Sequence, residues 1–441
     1  MSFITGSDKI PPIRRGDRGV IRGWVLYDWA NSSYQLTISS AIFPVYFNAV
    51  TCRGGDCTVD FFGLRIAGTV LYSYTIAAAF LSVGVLSPLF SGLADYTGRR
   101  KTFMKIFTWI GSLACMGLYF FDADHIPFGV IAFGLGTLGY AGSIVFYNSF
   151  LPVIAAPEDQ DRISARGYAM GYIGGVVLLL FNLLMIQAPG LFGIPEGSTL
   201  PARISFLSVG GWWLGFAQFT FLKLPKYTFG HRDRSARVIT SGYFEIVSVF
   251  RQVRQSAGLS LYLAGFLFMM MGVLTVMFMA ATYGASELHL GDEVLIGTIL
   301  LIQFVGVAGA WLFARLSGRI GNLRALMVSV TIWIAISLYA YTITGTAGFI
   351  AAAVFIGLVM GGSQSLARST YSKMLPETTD HTSFFSFYDV MEKLATVSGL
   401  ALFGLVNSLM HSMRTGVMMI GVFFVISLAF FFLLIRKKVR V

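Results

Sequence analysis

The chain has 441 residues; 56% are hydrophobic, 15% aromatic and only 12% charged, and the mean hydropathy is +0.72. Soluble domains carry roughly a quarter charged residues, so a string of water-facing domains is excluded. The formal net charge of +11 would suit a nucleic-acid binder if it formed one patch, but it is spread along the chain in a pattern that the predicted elements explain.

Residues 1–22 are polar and basic, with no apolar core ahead of a cleavage site. No signal peptide is expected there, and the first apolar helix is the expected insertion signal. Spanning helices need about 20 mostly apolar residues, and the first such run is 23–49. It carries Asp28, Asn31, Ser32, Gln35 and Ser39, whose spacing of three or four residues forms one stripe. Val25, Leu26, Leu36, Ile38 and Ile42 occupy the remaining faces, toward lipid or neighbours. A charge in hydrocarbon is expensive and normally faces a cavity or a partner. The stripe therefore predicts a polar interior. Beyond it, Cys52 and Cys57 flank Arg-Gly-Gly-Asp. An oxidising compartment permits a disulfide there; two free thiols are the alternative. With no histidine nearby, a metal site is not expected.

The second span, 66–90, leads into the loop SGLADYTGRRK (91–101), and the third, 103–121, holds Cys115 as an inert core thiol. The fourth, 128–153, places Tyr140 and Tyr147 on one face with Asn148 beside them. The fifth, 168–188, opens with GYIGG (171–175) and contains Asn182; its glycines allow close helix approach. The sixth is 203–223. The long basic connection 224–257 then separates a bundle over 23–223 from a bundle over 258–435.

The seventh span, 258–283, is rich in Met and Phe (FLFMMMGVLTVMFMA), either lipid-facing or an adaptable apolar wall for a solute. The eighth, 294–314, has Gln303 near its middle, and the ninth is 325–345. The tenth, 348–372, sets Gln364 and Arg368 one turn apart after Gly357, Gly361 and Gly362. The eleventh, 386–410, carries Asp389 and Lys393 in the favourable acid-before-base order, with Glu392 beside them. The twelfth, 415–435, is followed by a basic tail, 436–441.

With the N-terminus inside, the cationic residues sort cleanly. Lys9, Arg14, Arg15, Arg18, Arg22, Arg99, Arg100, Lys101, Lys105, Lys223, Lys226, Arg232, Arg234, Arg237, Arg251, Arg254 and the RKKVR tail fall on one side; Arg53, Arg65, Arg203 and Arg414 fall on the other. This positive-inside asymmetry predicts that both termini are cytoplasmic. It accounts for the excess charge, and no nucleic-acid partner is expected.

The two halves repeat. Tyr-x-x-x-Leu-Pro occurs at Tyr147 and again at Tyr371, 224 residues later, and the loop 91–101 lies opposite ARLSGRIGNLR (314–324) at an offset of 223. Duplicated six-helix halves around a midplane site form an alternating-access architecture. The first loop resembles the signature of the major facilitator superfamily, with Leu93, Ala94, Asp95, Gly98, Arg99 and Arg100 matching and Ser91 in place of the usual glycine. The resemblance implies an all-α membrane protein of twelve helices in two pseudo-symmetric six-helix bundles. It also implies that the loop latches the halves on the cytoplasmic side, with Asp95 as acceptor and Arg99 and Arg100 as donors. The second copy keeps Gly321 and Arg324 but has Gly318 where the aspartate belongs, which predicts a structural role only.

YDWANSSY, YNSFLP…RISARGYAMGYIGG and GGSQSLARSTYSKMLPE…SFFSFYDVMEKLA together resemble the vacuole effluxer-like branch of that superfamily. That branch includes the autophagy-related amino-acid effluxer of yeast vacuoles, and the short loops here are closer to its bacterial members. The resemblance implies a multi-pass protein of the bacterial inner (plasma) membrane that moves a small polar solute such as an amino acid.

Cavity candidates are Asp28, Asn31, Gln35, Tyr140, Tyr147, Asn148, Gln303, Gln364 and Arg368. Asp28, with Arg368 as partner, is either part of a gate network or a proton-coupling group, because burial raises a carboxyl pKa and a closing arginine lowers it. Asp389, Glu392 and Lys393, read as nearer the membrane surface, are expected to gate. Membrane lipid, and protons under the coupling reading, complete the expected partners. A monomer is expected, with no cofactor and no metal. The five histidines are scattered and no His-Glu-x-x-His, P-loop or Gly-x-Ser-x-Gly occurs, so an enzyme is not expected. The alternative classes are a lipid- or cell-wall-fragment transporter and a non-transporting sensor on the same fold.

Overall fold

The computed structural model describes residues 15–52, 57–226, 238–378, 380–410 and 412–437. The expected charges at Lys9, Arg14, Arg53, Arg232, Arg234 and Arg237 and most of the C-terminal tail lie outside the described residues. Asp17 opens the first helix, its carboxylate accepting from the Gly19 and Val20 amides, the favourable arrangement for an acid at a helix start. Helix α1 (Arg18–Ser33) continues through a π-helix over Tyr34–Ile42 into α2 (Phe43–Thr51). The π segment has local causes. Pro44 cannot donate to the ladder, and the Ser40 hydroxyl takes the Gln35 carbonyl at 2.9 Å.

Cys52 and Cys57 are joined by a disulfide, after which β1 (Thr58–Phe61) and β2 (Leu64–Ala67) form an antiparallel hairpin that the apolar pattern does not reveal. The next rods are α3 (Gly68–Thr97), α4 (Arg100–Gly117) and α5 (Ile126–Ser149), the last extended by the short α6 (Leu151–Ile154). The first half closes with α7 (Pro157–Gln187) and α8 (Leu200–Lys223). The central connection contains a helix, α9 (Val238–Gln255). The second half comprises α10 (Ala257–Ser286), α11 (Asp292–Ile320), α12 (Asn322–Thr342), α13 (Thr346–Met374), α14 (His381–Met410) and α15 (Met413–Arg436).

Ten of these helices are long and apolar enough to cross a membrane. The first rod and α8 take their places beside them, packed on each other, on α4 and on α7. Several rods run past the apolar stretch predicted for them. Pro157 starts α7 eleven residues early, with Glu158 and Asp159 in its first turn, because proline at the first helical position and acids near the positive end favour a start there.

Burial divides the molecule into one large core over residues 24–224 and a second over 249–434. Met269, Met270 and Met271 are buried in the second core rather than facing lipid. Only further along α10 does Met277 reach a polar partner, Gln364. The two cores meet through α7 against α11 and α13, and through α14 against α3 and α5.

Candidate functional site

Hydrogen bonds between the halves, among the described residues, lie from mid-helix toward the end that carries Gly98, Pro157 and Gly321, here called the basic end. None crosses at the opposite, hairpin end. Polar bonds between the halves are thus confined to one side, while toward the hairpin end Leu36, Val176 and Leu179 of the first half meet Ile299 and Leu300 of the second through apolar packing alone.

The densest group of these contacts surrounds Arg368 of α13. Its Nη1 donates to Asn148 Oδ1 at 3.2 Å and to Asp28 Oδ2 at 3.4 Å; Nε donates to Ser164 Oγ and Nη2 to the Ser164 carbonyl, both at 2.9 Å. Three aromatic rings from the first half box the guanidinium, Tyr168 at 4.3 Å, Trp24 at 4.8 Å and Tyr147 at 5.4 Å. The faces of such rings attract a cation, the more so when water is excluded. The Tyr147 hydroxyl also donates to Asp28 Oδ2 at 2.6 Å, while the Trp24 indole donates to the Tyr147 carbonyl at 2.9 Å. Gly167 of α7 makes room for this cluster: a β-carbon there would sit 2.5 Å from Asp28 Oδ2 and 2.9 Å from Arg368 Nη2. One cation on the second half is therefore held by an anion, two polar side chains and three rings of the first.

The structure brings together four of the predicted residues, Asp28, Tyr147, Asn148 and Arg368, and adds Trp24, Ser164, Gly167 and Tyr168. The missed ones carried a faint signal in RISARGYAMGYIGG. Ser164, Gly167 and Gly171 recur at helical spacing as a small-residue face, and Tyr168 and Tyr172 follow one turn apart. Tyr172 donates to Gln364 Oε1 at 2.9 Å, again across the halves. Tyr140 stacks on Tyr34 with centroids 5.5 Å apart, above the Arg368 box. Gln35 and Ser39 are partly exposed along the first rod. Asn31 Nδ2 and Gln303 Oε1 are buried with no hydrogen-bond partner among the described residues.

Toward the basic end lies the signature loop. Gly98 ends α3 in the left-handed region at φ 67°, which favours glycine. Asp95 Oδ1 accepts from Arg100 Nε at 2.9 Å and from the Thr382 amide at 3.2 Å, and Oδ2 accepts from the Ser383 amide at 2.7 Å. An aspartate of the first half thus caps the start of α14 in the second, where the helix presents free amides and partial positive charge. Arg100 is 1% exposed and bonded to Asp95, whereas Arg99 is exposed.

The second copy of the loop does more than connect helices. Asp161 of α7 accepts from Ser317 at 2.9 Å, from Asn322 Nδ2 at 2.7 Å and from Lys373 Nζ at 2.8 Å. The repeat has exchanged its parts: in the first latch the acid ends the loop-side helix, and in the second it belongs to the helix that the loop meets. The missing aspartate at Gly318 concealed this.

The third predicted group lies on α14. Because α14 begins at His381, Asp389 lies about 12 Å along it. Lys393 Nζ bridges Asp389 Oδ1 at 3.0 Å and Glu392 Oε1 at 3.2 Å. Among the described residues no cluster of three or more His, Cys, Asp or Glu could hold a metal.

A model of the family described as "Vacuole effluxer Atg22 like" matches residues 16–441. The chain belongs to that family. Among its relatives, the uncharacterized MFS-type transporter YxiO of Bacillus subtilis (strain 168) is 26% identical over 405 residues, covering 92% of each chain. The Atg22-like fold is that of the major facilitator superfamily. The fucose transporter FucP in its outward conformation aligns with a TM-score of 0.69 at 14% identity, over 96% of this chain and 98% of FucP. The proton:xylose symporter XylE aligns at 0.72 and 12% identity, over 94% of each. This Atg22-like chain is accordingly a multi-pass membrane transporter, and its family and fold are not those of enzymes.

Proposed function

We propose that the chain is a secondary transporter that moves a small polar solute, such as an amino acid, by alternating access, with the Arg368 box as its inner gate. The observation that carries this reading is the one-sided polar closure: charged and polar bonds join the halves at the basic end, and among the described residues none does so at the hairpin end. Opening toward the basic end requires Arg368 to leave Asp28, Asn148, Ser164 and three rings together. A solute charge that replaces either member of the Asp28–Arg368 pair lowers that cost. Asn31 Nδ2 and Gln303 Oε1, without a partner among the described residues, supply polar contacts for such a solute. Asp28 already has both an arginine and a tyrosine, which favours gating over proton carriage at that position. The basic end faces the cytoplasm of a bacterial plasma membrane by the positive-inside rule.

A second reading, transport of a lipid or cell-wall fragment, draws on an apolar recess of about 370 Å³ between α3 and α5, lined by Leu71, Tyr74, Ala78, Val130, Ile131 and Leu135. A thermal-shift screen of the purified chain separates the two, since a ligand of the folded state raises its melting point. Stabilisation by amino acids or related polar metabolites supports the first reading. Stabilisation only by lipids or glycan fragments overturns it.

A further inference from the structure

The interior charges do not balance. Asp28 and Arg368 cancel, but Asp389 and Glu392 share a single lysine, so α14 carries one surplus negative charge inside the helical bundle. The side chains of Asp389, Lys393 and Glu392 are 4%, 15% and 27% exposed. Asp389 Oδ1 accepts from Lys393, while Asp389 Oδ2 is buried with no donor among the described residues. An anionic oxygen without a donor in low dielectric is a costly arrangement.

The surroundings are built to feel this charge. Tyr140 of α5 and Tyr168 of α7, both from the first half, interact electrostatically with Glu392, and Tyr168 also with Lys393. Tyr388 lies on α14 itself, with Arg368 of α13 and Tyr262 of α10 within its electrostatic reach and the Tyr371 ring of α13 tilted against it, centroids 4.9 Å apart. Helix α3 contributes the Phe80 ring, 5.8 Å from Lys393 Nζ. Helix α9 meets α14 at its basic end through Phe250 and Phe387, where Arg251 and Arg254 also lie along α9. The charges of α15, Arg414 and Arg436, sit at its two ends. No cation other than Lys393 and Arg368 serves this region among the described residues.

We propose that Asp389 and Glu392 together bind one exchangeable proton, making α14 the proton-carrying element of the transporter. The step is H⁺ plus carboxylate giving carboxylic acid. It removes the surplus charge and turns the bare Asp389 oxygen, or its neighbour on Glu392, into a donor. A sodium ion is disfavoured, because Lys393 Nζ already occupies the point between the two carboxylates. The coupling role rests on the transporter reading above, but proton binding itself does not. It can be measured without any solute.

The experiment is an infrared titration of the full chain in lipid nanodiscs, following the protonated-carboxyl band from acid to alkaline pH in sodium-free buffer. The expected result is one band that bleaches on raising pH, survives in Asp28→Asn and is lost in the Asp389→Asn/Glu392→Gln double variant. Glu392→Gln alone, at the more exposed position, is expected to fold and to shift the midpoint of the band. Absence of the band in the parent, its survival in the double variant, its loss in Asp28→Asn, or its displacement by sodium at constant pH would each overturn the proposal. None of these outcomes bears on whether the chain transports a solute.

Discussion

Asp28 and Arg368 meet at 3.4 Å, with Arg368 only 2% exposed. Removing one member of a buried pair leaves the other uncompensated, which costs about 3–5 kcal/mol in soluble proteins. Asp28→Asn is therefore expected to lower the melting temperature sharply. Combining it with Arg368→Met should recover more than half of the loss, since a methionine among Trp24, Tyr147 and Tyr168 needs no counter-charge. Thermal unfolding of the four proteins tests this double-mutant cycle; additive losses would show that the two residues do not act as a pair. The Asp28 half of the pair was legible in the sequence, because a carboxylate on a regular polar stripe in an apolar helix has few other uses. Gly167 was not. Its role is to be small against two charged side chains from distant helices, and nothing near it in the chain shows that.

Helices carry the second layer of the account. Asp95 caps α14 through two backbone amides, and Asp161 gathers Ser317, Asn322 and Lys373. Both latches join the same two halves at the same end. Asp95→Asn retains shape but loses the charge–dipole attraction, worth about 0.3–1 kcal/mol at an exposed helix end and more when buried. Asp161→Asn also leaves the partly buried Lys373 without an anion. Each variant should increase reactivity of a cysteine placed at Ser149, which is buried beside Thr382 in the closed latch. The Asp161 variant should give the larger increase, several-fold over the parent. Equal reactivity in all three proteins would reduce the latches to local packing. The first latch was readable from its loop signature; the second was not, because its acid had moved to another helix. Similarly, α14 begins five residues before its apolar run, a start that hydropathy alone does not show.

For the whole molecule, hydropathy and repeat spacing predict a helical membrane bundle in two halves, since membrane crossing imposes length and apolarity on every span, and the two buried cores follow that division. Hydropathy and spacing do not reveal at which end the halves are hydrogen-bonded, a property of contacts between residues 156 to 340 positions apart. Alternating access requires that polar closure to be one of two states. Paired spin labels test it most directly: one pair at exposed Arg162 and Arg319 across the basic end, the other at exposed Ser198 and Glu293 across the hairpin end, with distances compared between the parent and the Asp95→Asn protein. The prediction is that the Arg162–Arg319 distance lengthens while the Ser198–Glu293 distance shortens. Two distances that stay fixed, or that lengthen together, would contradict it.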